Sequence, residues 1–315
     1  MSVRKYALKR LIVMIPVLFG VTLLTFSLTK MLPGDPVTFI LQFTDVSEEV
    51  RQQLRAQYNL DEPVWKQYLL WLADAITLDF GESVISGQNV SDELVSRMPQ
   101  TVLLGVASFV IAAIIGIPAG ILAAVRKGEA ADEVSRVAAL AGIATPNFWL
   151  GLMLILVFSV ELGWFRTIPP DAPLLSIASL KFMLLPAVTL GTAQAALLMR
   201  LMRSSMLEEL NKDYVQMARA KGLPERTVIL KHVLRNSLIA VVTVAALQIA
   251  FIVDGAVVVE QVFSWPGAGR MLVDAIVQRD FPLIQATTLI VGVTIVLANF
   301  AVDLVYSLLD PRIRY

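Results

Sequence analysis

Six long apolar segments constrain the fold of this chain more than any other feature of its sequence. A helix needs roughly 20 consecutive apolar residues to cross a bilayer, because each residue advances it by about 1.5 Å through a hydrocarbon layer about 30 Å thick. We predict spans at about 11–29, 101–125, 138–160, 182–200, 237–259 and 284–308. Hydrophobic residues make up 57% of the chain and charged residues only 17%, whereas about a quarter of the residues of a soluble domain are charged. We therefore expect an all-α polytopic membrane protein with six transmembrane helices.

The first apolar segment has to be distinguished from a secretory signal, because Arg4, Lys5, Lys9 and Arg10 precede it. Its apolar stretch is long for the core of a signal, and no small-x-small cleavage site follows it. We therefore expect this segment to be a retained transmembrane helix.

The basic residues predict the orientation of the spans, because Lys and Arg in short loops stay on the cytoplasmic side. They are concentrated before the first span, between spans two and three, between spans four and five, and at the end of the chain. In the segment 30–98, by contrast, acidic residues outnumber basic ones. The pattern predicts a multi-pass protein of the cell (inner or plasma) membrane with both termini in the cytoplasm.

This topology divides the chain into three parts. Residues 1–29 comprise the N-terminal cytoplasmic segment and the first transmembrane helix, and residues 30–98 form an extracytoplasmic insertion. Residues 99–315 form a five-helix core with a cytoplasmic loop at about 201–236.

The insertion is expected to contain two helices, at 47–59 with Ser47 as N-cap and at about 63–76 with Pro63 in its first position. The second helix carries three aromatic residues at spacings of three: Trp65, Tyr68 and Trp71. They either contact a ligand or pack the helix onto the bundle or the membrane interface, where Trp and Tyr are enriched. We favour packing.

The loop 201–236 is predicted to form two short helices joined by a sharp bend. Gly222 suits the left-handed conformation at a helix C-terminus, and Pro224 followed by Glu225 suits the start of the next helix. One helical face is expected to be apolar until its end, through Leu207, Leu210, Tyr214, Met217 and Lys221. Such an exposed pair of helices either docks into a partner's groove or lies on the membrane surface.

The segment 213–223 resembles the signature cytoplasmic loop of permease subunits in binding-protein-dependent ABC importers, in particular those of the dipeptide/oligopeptide/nickel class. Ala218 and Gly222 match the family's Glu-Ala-Ala-x-x-x-Gly pattern. The sequence departs from that pattern at Gln216 and Met217, which occupy the positions of the glutamate and the first alanine.

The resemblance extends over nearly the whole chain. Further matching segments are 32–36, 79–83, 97–101, 145–148, 232–236, 257–260, 263–267 and 310–312. The large insertion after the first span and the Leu-Arg-Asn ending of the loop resemble the first (B-type) of the two permeases in these systems. The resemblance implies the transmembrane domain of a type I ABC importer.

A heteromeric assembly follows from the resemblance. The implied partners are a second homologous permease subunit, two cytoplasmic ATPase subunits, an extracytoplasmic solute-binding protein and the surrounding membrane lipid. The chain would form half of the translocation pathway for peptides or a similar small solute and couple to the ATPases through the 201–236 loop. The residues implied in coupling are Tyr214, Met217, Ala218, Arg219, Lys221, Gly222, Leu223 and Glu225.

The composition argues against an enzyme. The chain has no cysteine and a single histidine, His232, so we expect no metal site, no cofactor and no catalytic residues. No G-x-x-x-x-G-K-[ST] phosphate-binding motif occurs, so ATP hydrolysis is expected on partner subunits. A net charge of zero gives no indication of nucleic-acid binding.

Polar residues within spans require a reason, because a central charge costs about 2.5–3.5 kcal/mol on insertion scales. The candidates for the translocation pathway are Asp254, Gln248, Gln194 and Asn299. Asp254 either faces the pathway near its outer mouth or pairs with the partner permease, or else it breaks the helix or forms a buried hydrogen bond within the bundle. Gln248, Gln194 and Asn299 either line the pathway or hydrogen-bond to neighbouring helices. Asp303, near the inner end of the sixth span, is expected to be an interfacial anchor instead.

Gly116, Pro118 and Gly120 in the second span either mark a hinge or allow close helix packing, and we favour packing because small residues are enriched at helix contacts in membranes. Two other functions are alternatives to an importer permease. An ion-coupled secondary transporter is expected to show an inverted repeat and broken helices, and no repeat is obvious. A membrane-embedded hydrolase needs a nucleophile–base or metal constellation, for which the sequence offers one loop histidine and no cysteine.

Overall fold

The structure is a computed structural model that describes residues 3–31, 37, 47–57 and 59–309. Within its helices the side chains of 3–6, 54, 57, 243, 246–255 and 305–309 are not described. The motif segments 32–36 and 310–312 therefore lie outside the described residues. The part of the chain that is described is mostly helical, with turns and irregular segments between the helices, and its β-structure is limited to one isolated antiparallel bridge between Glu82 and Asn89.

The helices follow one another without intervening strands in the described ranges. They are α1 (Val3–Met31), α2 (Glu48–Gln57), α3 (Val64–Ile76), α4 (Val90–Val125), α5 (Ala130–Ala144), α6 (Asn147–Leu154), α7 (Ile177–Leu210), α8 (Asp213–Ala220), α9 (Glu225–Thr227), α10 (Leu234–Val262), α11 (Ala268–Gln278) and α12 (Phe281–Leu309). A π-helical stretch extends α6 over Ile155–Glu161, and another joins α9 to α10 over Val228–Val233.

Long apolar helices coincide with the predicted spans. Among the described residues, α1, α4, α7 and α12 are each long and apolar enough to cross a membrane, and α5 with α6 passes the same test as a bent pair. The predicted span 237–259 lies within the single helix α10. The all-helical membrane fold expected from the hydropathy is thus confirmed.

The third predicted span is not one straight helix, which corrects the prediction at 138–160. α5 and the helical segment 147–161 are bent by 103° relative to each other. Thr145 has an extended conformation (φ −80°, ψ 121°) directly before Pro146. The proline ring disfavours the helical conformation at the preceding residue, and its missing N–H removes a helical hydrogen bond.

Glycines allow α4 and α7 to pack closely. A Cβ atom on Gly116 would lie 2.4 Å from the carbonyl oxygen of Ala195, and one on Gly120 would lie 2.6 Å from that of Met199. α4 continues through Pro118 as one helix. The contacts favour the packing interpretation of these glycines over the hinge interpretation.

The order of contacts shows how the helices run. Along α4 and α7 the contacting residues rise together in number, from Ser108 with Gly191 to Gly120 with Met199, so these two helices are parallel.

α1 and α12 run in opposite directions, and Arg10 near the start of α1 forms an ion pair of 3.1 Å with Asp303 near the end of α12. Asp303 thus anchors two helix ends to each other. We call the end of the bundle that carries α2 and α3 the insertion end, and the opposite end, which carries residues 201–236, the loop end.

The insertion packs onto α1 through two of its three aromatic residues. The Tyr68 ring lies 5.5 Å from that of Phe26, and the Trp71 ring lies 5.8 Å from it. The Tyr68 hydroxyl also hydrogen-bonds to Thr22 over 2.9 Å. Trp65 is 66% exposed and does not share this contact. The packing interpretation therefore holds for Tyr68 and Trp71.

A buried carboxylate joins three helices at the insertion end. Glu260 of α10 is fully buried and accepts hydrogen bonds from the Thr101 hydroxyl of α4 at 2.6 Å and from the backbone N–H of Arg270 of α11 at 2.9 Å. The Trp265 indole N–H donates to the backbone carbonyl of Gln100 at 3.1 Å, and the Trp265 ring stacks on Phe182 with centroids 5.9 Å apart. These contacts make the segments 97–101, 257–260 and 263–267 parts of one structural unit.

Candidate functional site in the 201–236 segment

The segment begins with a break at the end of α7. Where the helix ends, the Asn211 side-chain amide donates to the carbonyl of Leu207 at 2.8 Å and satisfies a helix-terminal acceptor. Lys212 is extended (ψ 147°) and precedes α8. The apolar face predicted to run through Leu207, Leu210, Tyr214, Met217 and Lys221 on one helix is therefore wrong, because the break changes the helical phase between Leu210 and Tyr214.

Because of the break, the face of α8 that packs against the bundle is not the predicted face through Tyr214 and Met217. Val215 and Ala218 are buried in one apolar cluster with Met206, Val228 and Val233. Tyr214 and Met217 are exposed instead, and Met217 is 60% exposed. α8 is thus attached to the bundle by its smaller apolar residues and presents a large one to the surroundings.

Gly222 ends α8 in a left-handed conformation, as predicted. Its φ is +73°, its N–H donates to the carbonyl of Arg219 at 2.9 Å, and the next N–H, that of Leu223, donates to the carbonyl of Ala218 at 3.4 Å. These are the two hydrogen bonds of a Schellman motif. A Cβ atom on Gly222 would have no neighbour within 4 Å, so backbone conformation alone calls for glycine here.

An ion pair spans the Gly222 turn. The Arg219 guanidinium donates to both carboxylate oxygens of Glu225, at 2.7 and 3.1 Å, and this hydrogen bonding lowers the pKa of the Glu225 carboxyl below its usual range. Such a two-point contact fixes relative orientation as well as distance. The pair therefore fixes α8 relative to α9.

Tyr214 joins α8 to both neighbouring helices. Its hydroxyl donates to Glu209 at the end of α7 and accepts a hydrogen bond of 2.9 Å from the amide of Asn236 in α10. Desolvation, followed by the hydrogen bond to Glu209, raises the pKa of the hydroxyl. Tyr214 thus connects α8 by hydrogen bonds to the end of α7 and to the start of α10.

The second short helix predicted after Gly222 is also different in the structure. α9 starts at Glu225, with Pro224 as its N-cap, and continues through the π-helical stretch directly into α10. The sequence between Glu225 and the start of α10 holds neither proline nor glycine, so nothing ends the helix. His232 lies in the π-helical stretch, where its carbonyl accepts from Asn236 at 3.1 Å.

The exposed residues around the turn form one surface, which we call the α8 surface. It consists of Met217, Lys221, Gly222 and Leu223. Met217 and Leu223 are its apolar part, and Lys221 is charged. The packed face of α8, the Schellman turn and the Arg219–Glu225 pair together hold this surface in one conformation.

The four candidates for the translocation pathway are distributed over three helices. Asp254 and Gln248 lie in α10, and their side chains fall outside the described residues. Gln194 lies in α7, where its side-chain oxygen is buried without a hydrogen-bond partner in the described part of the chain. Asn299 is exposed on α12.

Several buried polar contacts between residues far apart in the chain were not predicted from the sequence, and two of them join different helices. One is the Glu260–Thr101 contact, and the other is an ion pair between Asp132 and Arg203 at the loop end. Each joins residues of different helices, and a local pattern carries no signal for such pairs. Within the described ranges, no group of three His, Cys, Asp or Glu side chains is placed to hold a metal ion.

Comparison with known proteins identifies the family. The model of the family described as "Binding-protein-dependent transport system inner membrane component" matches residues 116–315, which include the whole 201–236 segment. The chain belongs to this family. It is therefore a multi-pass inner-membrane permease, and the family's description implies a solute-binding protein and an ATPase as partners.

Two relatives match over almost their entire length. The glutathione transport system permease protein GsiC of Escherichia coli (strain K12) is 44% identical over 310 residues, which cover 98% of this chain and 99% of that protein. The oligopeptide transport system permease protein AppB of Bacillus subtilis (strain 168) is 42% identical over 316 residues, with the same shares covered. The predicted resemblance to peptide-class permeases is confirmed.

Solved structures show the same fold. An inward-facing MetNI methionine ABC transporter is similar with a TM-score of 0.55 and 19% identity, covering 69% of this permease and 96% of that chain. An amino acid ABC transporter is similar with a TM-score of 0.54 and 12% identity, and the match covers 69% of this permease and 94% of that chain. The permease thus has the fold of a type I ABC importer transmembrane domain. Its function is that of a permease in an ATP-driven importer, so the ion-coupled transporter and the hydrolase are not retained.

Proposed function

We propose that this chain is the B-type permease of a heteromeric importer for peptides or similar small solutes. The observation that carries the proposal is the end-to-end identity of 44% and 42% with glutathione and oligopeptide permeases. The assembly contains a second homologous permease, two cytoplasmic ATPase subunits and an extracytoplasmic solute-binding protein.

In the proposed topology the chain spans the membrane six times with both termini in the cytoplasm. The Arg10–Asp303 ion pair supports this topology, because it places the start of α1 and the end of α12 at the same end of the bundle. The concentration of basic residues in the 201–236 segment supports a cytoplasmic loop end.

The α8 surface is the proposed contact with an ATPase subunit. A helix that exposes Met217, followed by a turn that exposes Leu223, suits an apolar groove on a partner. α7 leads into α8 across a two-residue break, so a movement of the ATPase subunit displaces α7 as a rigid body. The chain itself lacks a phosphate-binding loop, so ATP hydrolysis takes place on the partner.

The proposed half-pathway contains Gln194, Gln248, Asp254 and Asn299. Gln194 supports it best, because a buried amide oxygen without a partner is costly unless water or solute meets it.

Purification and reconstitution test the proposal. A tag on this chain should recover the second permease and the ATPase subunits in mild detergent, and the reconstituted complex with its binding protein should take up a peptide, such as glutathione or a dipeptide, only when ATP is supplied. Binding measurements on the solute-binding protein then define the solute. Uptake without ATP by this chain alone would contradict the proposal.

A further inference from the structure

A buried ion pair connects α5 to the loop end of α7. The Arg203 guanidinium donates to both carboxylate oxygens of Asp132, at 2.6 and 2.8 Å. The Gly128 backbone N–H donates to the same carboxylate at 3.0 Å. The Asp132 side chain is 2% exposed and that of Arg203 is 21% exposed. Water therefore has little access to the carboxylate, and the protein supplies its hydrogen bonds.

The burial makes this pair different from the surface pair next to it. Glu133 and Arg136, on the same helix as Asp132, form an ion pair of 2.9 Å with side chains 60% and 52% exposed. Exposed pairs of this kind contribute little, whereas removal of one member of a buried pair leaves an uncompensated charge. The two-point geometry also prevents α5 from sliding along α7 without breaking both hydrogen bonds.

The pair connects the start of α5 to the loop end of α7. Arg203 lies in the last turns of α7, shortly before the helix ends at Leu210, and Asp132 lies in the first turn of α5. Farther along, α5 packs on α7 where a Cβ atom on Gly142 would lie 3.3 Å from that of Ala196. α5 is thus fixed to α7 by a charged contact at the loop end and by a van der Waals contact near its own end.

The bent partner of α5 reaches the insertion end. A Cβ atom on Gly151 in α6 would lie 3.0 Å from the Phe263 ring and 3.1 Å from Val262. Both of these residues are at the end of α10, beside the Glu260 contact. α5 and α6 therefore form a continuous packed connection from the end of α7 to the insertion end.

We propose that the Asp132–Arg203 pair is a positioning contact that makes α5, and through it the bent α5–α6 unit, move with the loop end of α7. This inference rests on the proposed ATPase contact of the α8 surface. Displacement of the 201–236 segment carries Arg203 with it, and the pair transfers that displacement to α5. Without the pair, α5 is held to α7 only by the van der Waals contact near Gly142, so less of the displacement reaches α6 and ATP is hydrolysed with a smaller change at the insertion end.

The test is the ratio of solute taken up to ATP hydrolysed, measured on the whole reconstituted complex. Asp132→Asn removes the negative charge at nearly constant size. Arg203→Lys keeps the positive charge but lacks the planar guanidinium group that donates two parallel hydrogen bonds. We expect each to lower the ratio by at least about fivefold, the lower end of typical coupling between sites. The combined Asp132→Arg and Arg203→Asp reversal should have a higher ratio than either of its component single substitutions. Glu133→Gln, one residue away in the exposed pair, should keep the ratio of the wild type.

The outcomes are distinguishable. An unchanged ratio in both single variants, with or without a smaller amount of folded complex, would show that the pair only stabilises the fold and would overturn the inference. If Asp132→Asn does not fold, Arg203→Lys decides by the same ratio. A wild-type complex without ATP-dependent uptake would instead contradict the proposed function itself.

Discussion

The contact between α4 and α7 and the turn after α8 both depend on glycine, but for opposite reasons. Gly116 and Gly120 are helical, and any Cβ atom there would overlap the backbone of α7 at 2.4–2.6 Å. Gly222 has open space around the position of its Cβ, but its φ of +73° is one that most residues avoid. In the first region the neighbouring helix excludes a side chain, and in the second the backbone conformation does.

The two kinds of glycine serve different purposes: one allows the helices of the bundle to pack, and the other positions the α8 surface. The α4–α7 contact lies within the bundle, where interiors are close-packed and an added methyl group forces the helices apart. The Gly222 turn lies on the surface and holds the α8 surface in position. Damage to the first region should therefore reduce the amount of folded protein, and damage to the second should affect coupling in a protein that still folds.

The largest effect is expected for Gly120→Val. The added side chain would meet the Met199 carbonyl oxygen and the Met202 Cβ atom, each at 2.6 Å. Overpacking of this kind costs about 1–3 kcal/mol or more, so we expect little folded protein in detergent by size-exclusion chromatography. Gly20→Val is the matched control, because no atom lies within 4 Å of its added Cβ. Equal yields of the two variants would contradict the packing argument.

A smaller effect on folding and a large effect on transport are expected for Gly222→Val. A left-handed conformation costs an ordinary L-residue about 1–2 kcal/mol, so the turn opens while the membrane-embedded part stays folded. ATP hydrolysis should then continue with reduced solute uptake in proteoliposomes. Gly222→Asn should retain most of the uptake, since Asn tolerates this conformation. Normal uptake by the Val variant would count against the role of the turn in coupling.

Met217→Glu should weaken the association with the ATPase subunit without changing stability. The Met217 side chain is 60% exposed, so a charge there costs the isolated permease little but opposes burial in an apolar groove. We expect several-fold less ATPase to be recovered with the tagged variant, at an unchanged melting temperature. Gln216→Glu adds the same charge at the neighbouring exposed position and should cause a smaller loss. A loss of equal size in both variants would indicate a general charge effect instead.

The smallest effect is expected for Arg219→Ala. The Arg219–Glu225 pair is about half exposed and should contribute about 0.2–1 kcal/mol at most. Because the pKa of Glu225 is lowered from its usual 4.5, this contribution is present above that value and is lost as the pH falls through the lowered pKa. Between about pH 7 and about pH 3, the melting temperature of the wild type should therefore include a decrease from the loss of this pair, and that of the variant should not. Identical pH profiles of variant and wild type would show that the pair adds nothing.

Hydropathy and local backbone rules predicted much of this structure. The long helices, the left-handed Gly222 and the cap at Ser47, whose hydroxyl accepts from the Val50 N–H at 3.4 Å, follow from interactions within a few residues. A sequence pattern therefore reports them. The bend at Pro146 carried a local signal as well, but the apolar pattern across it predicted one span, because hydropathy is insensitive to a single proline. The phase of α8 was predicted wrongly because the Asn211 break was not recognised.

The sequence by itself determined that this chain crosses a membrane, which family it resembles, and where its surface turn lies, because these depend on composition and on neighbours along the chain. Tertiary structure alone decided that Gly116 and Gly120 are packing contacts, that Asp132 pairs with Arg203, and that Glu260 joins three helices. Those contacts unite residues that are far apart in the chain, and only the approach of the helices shows which residues meet.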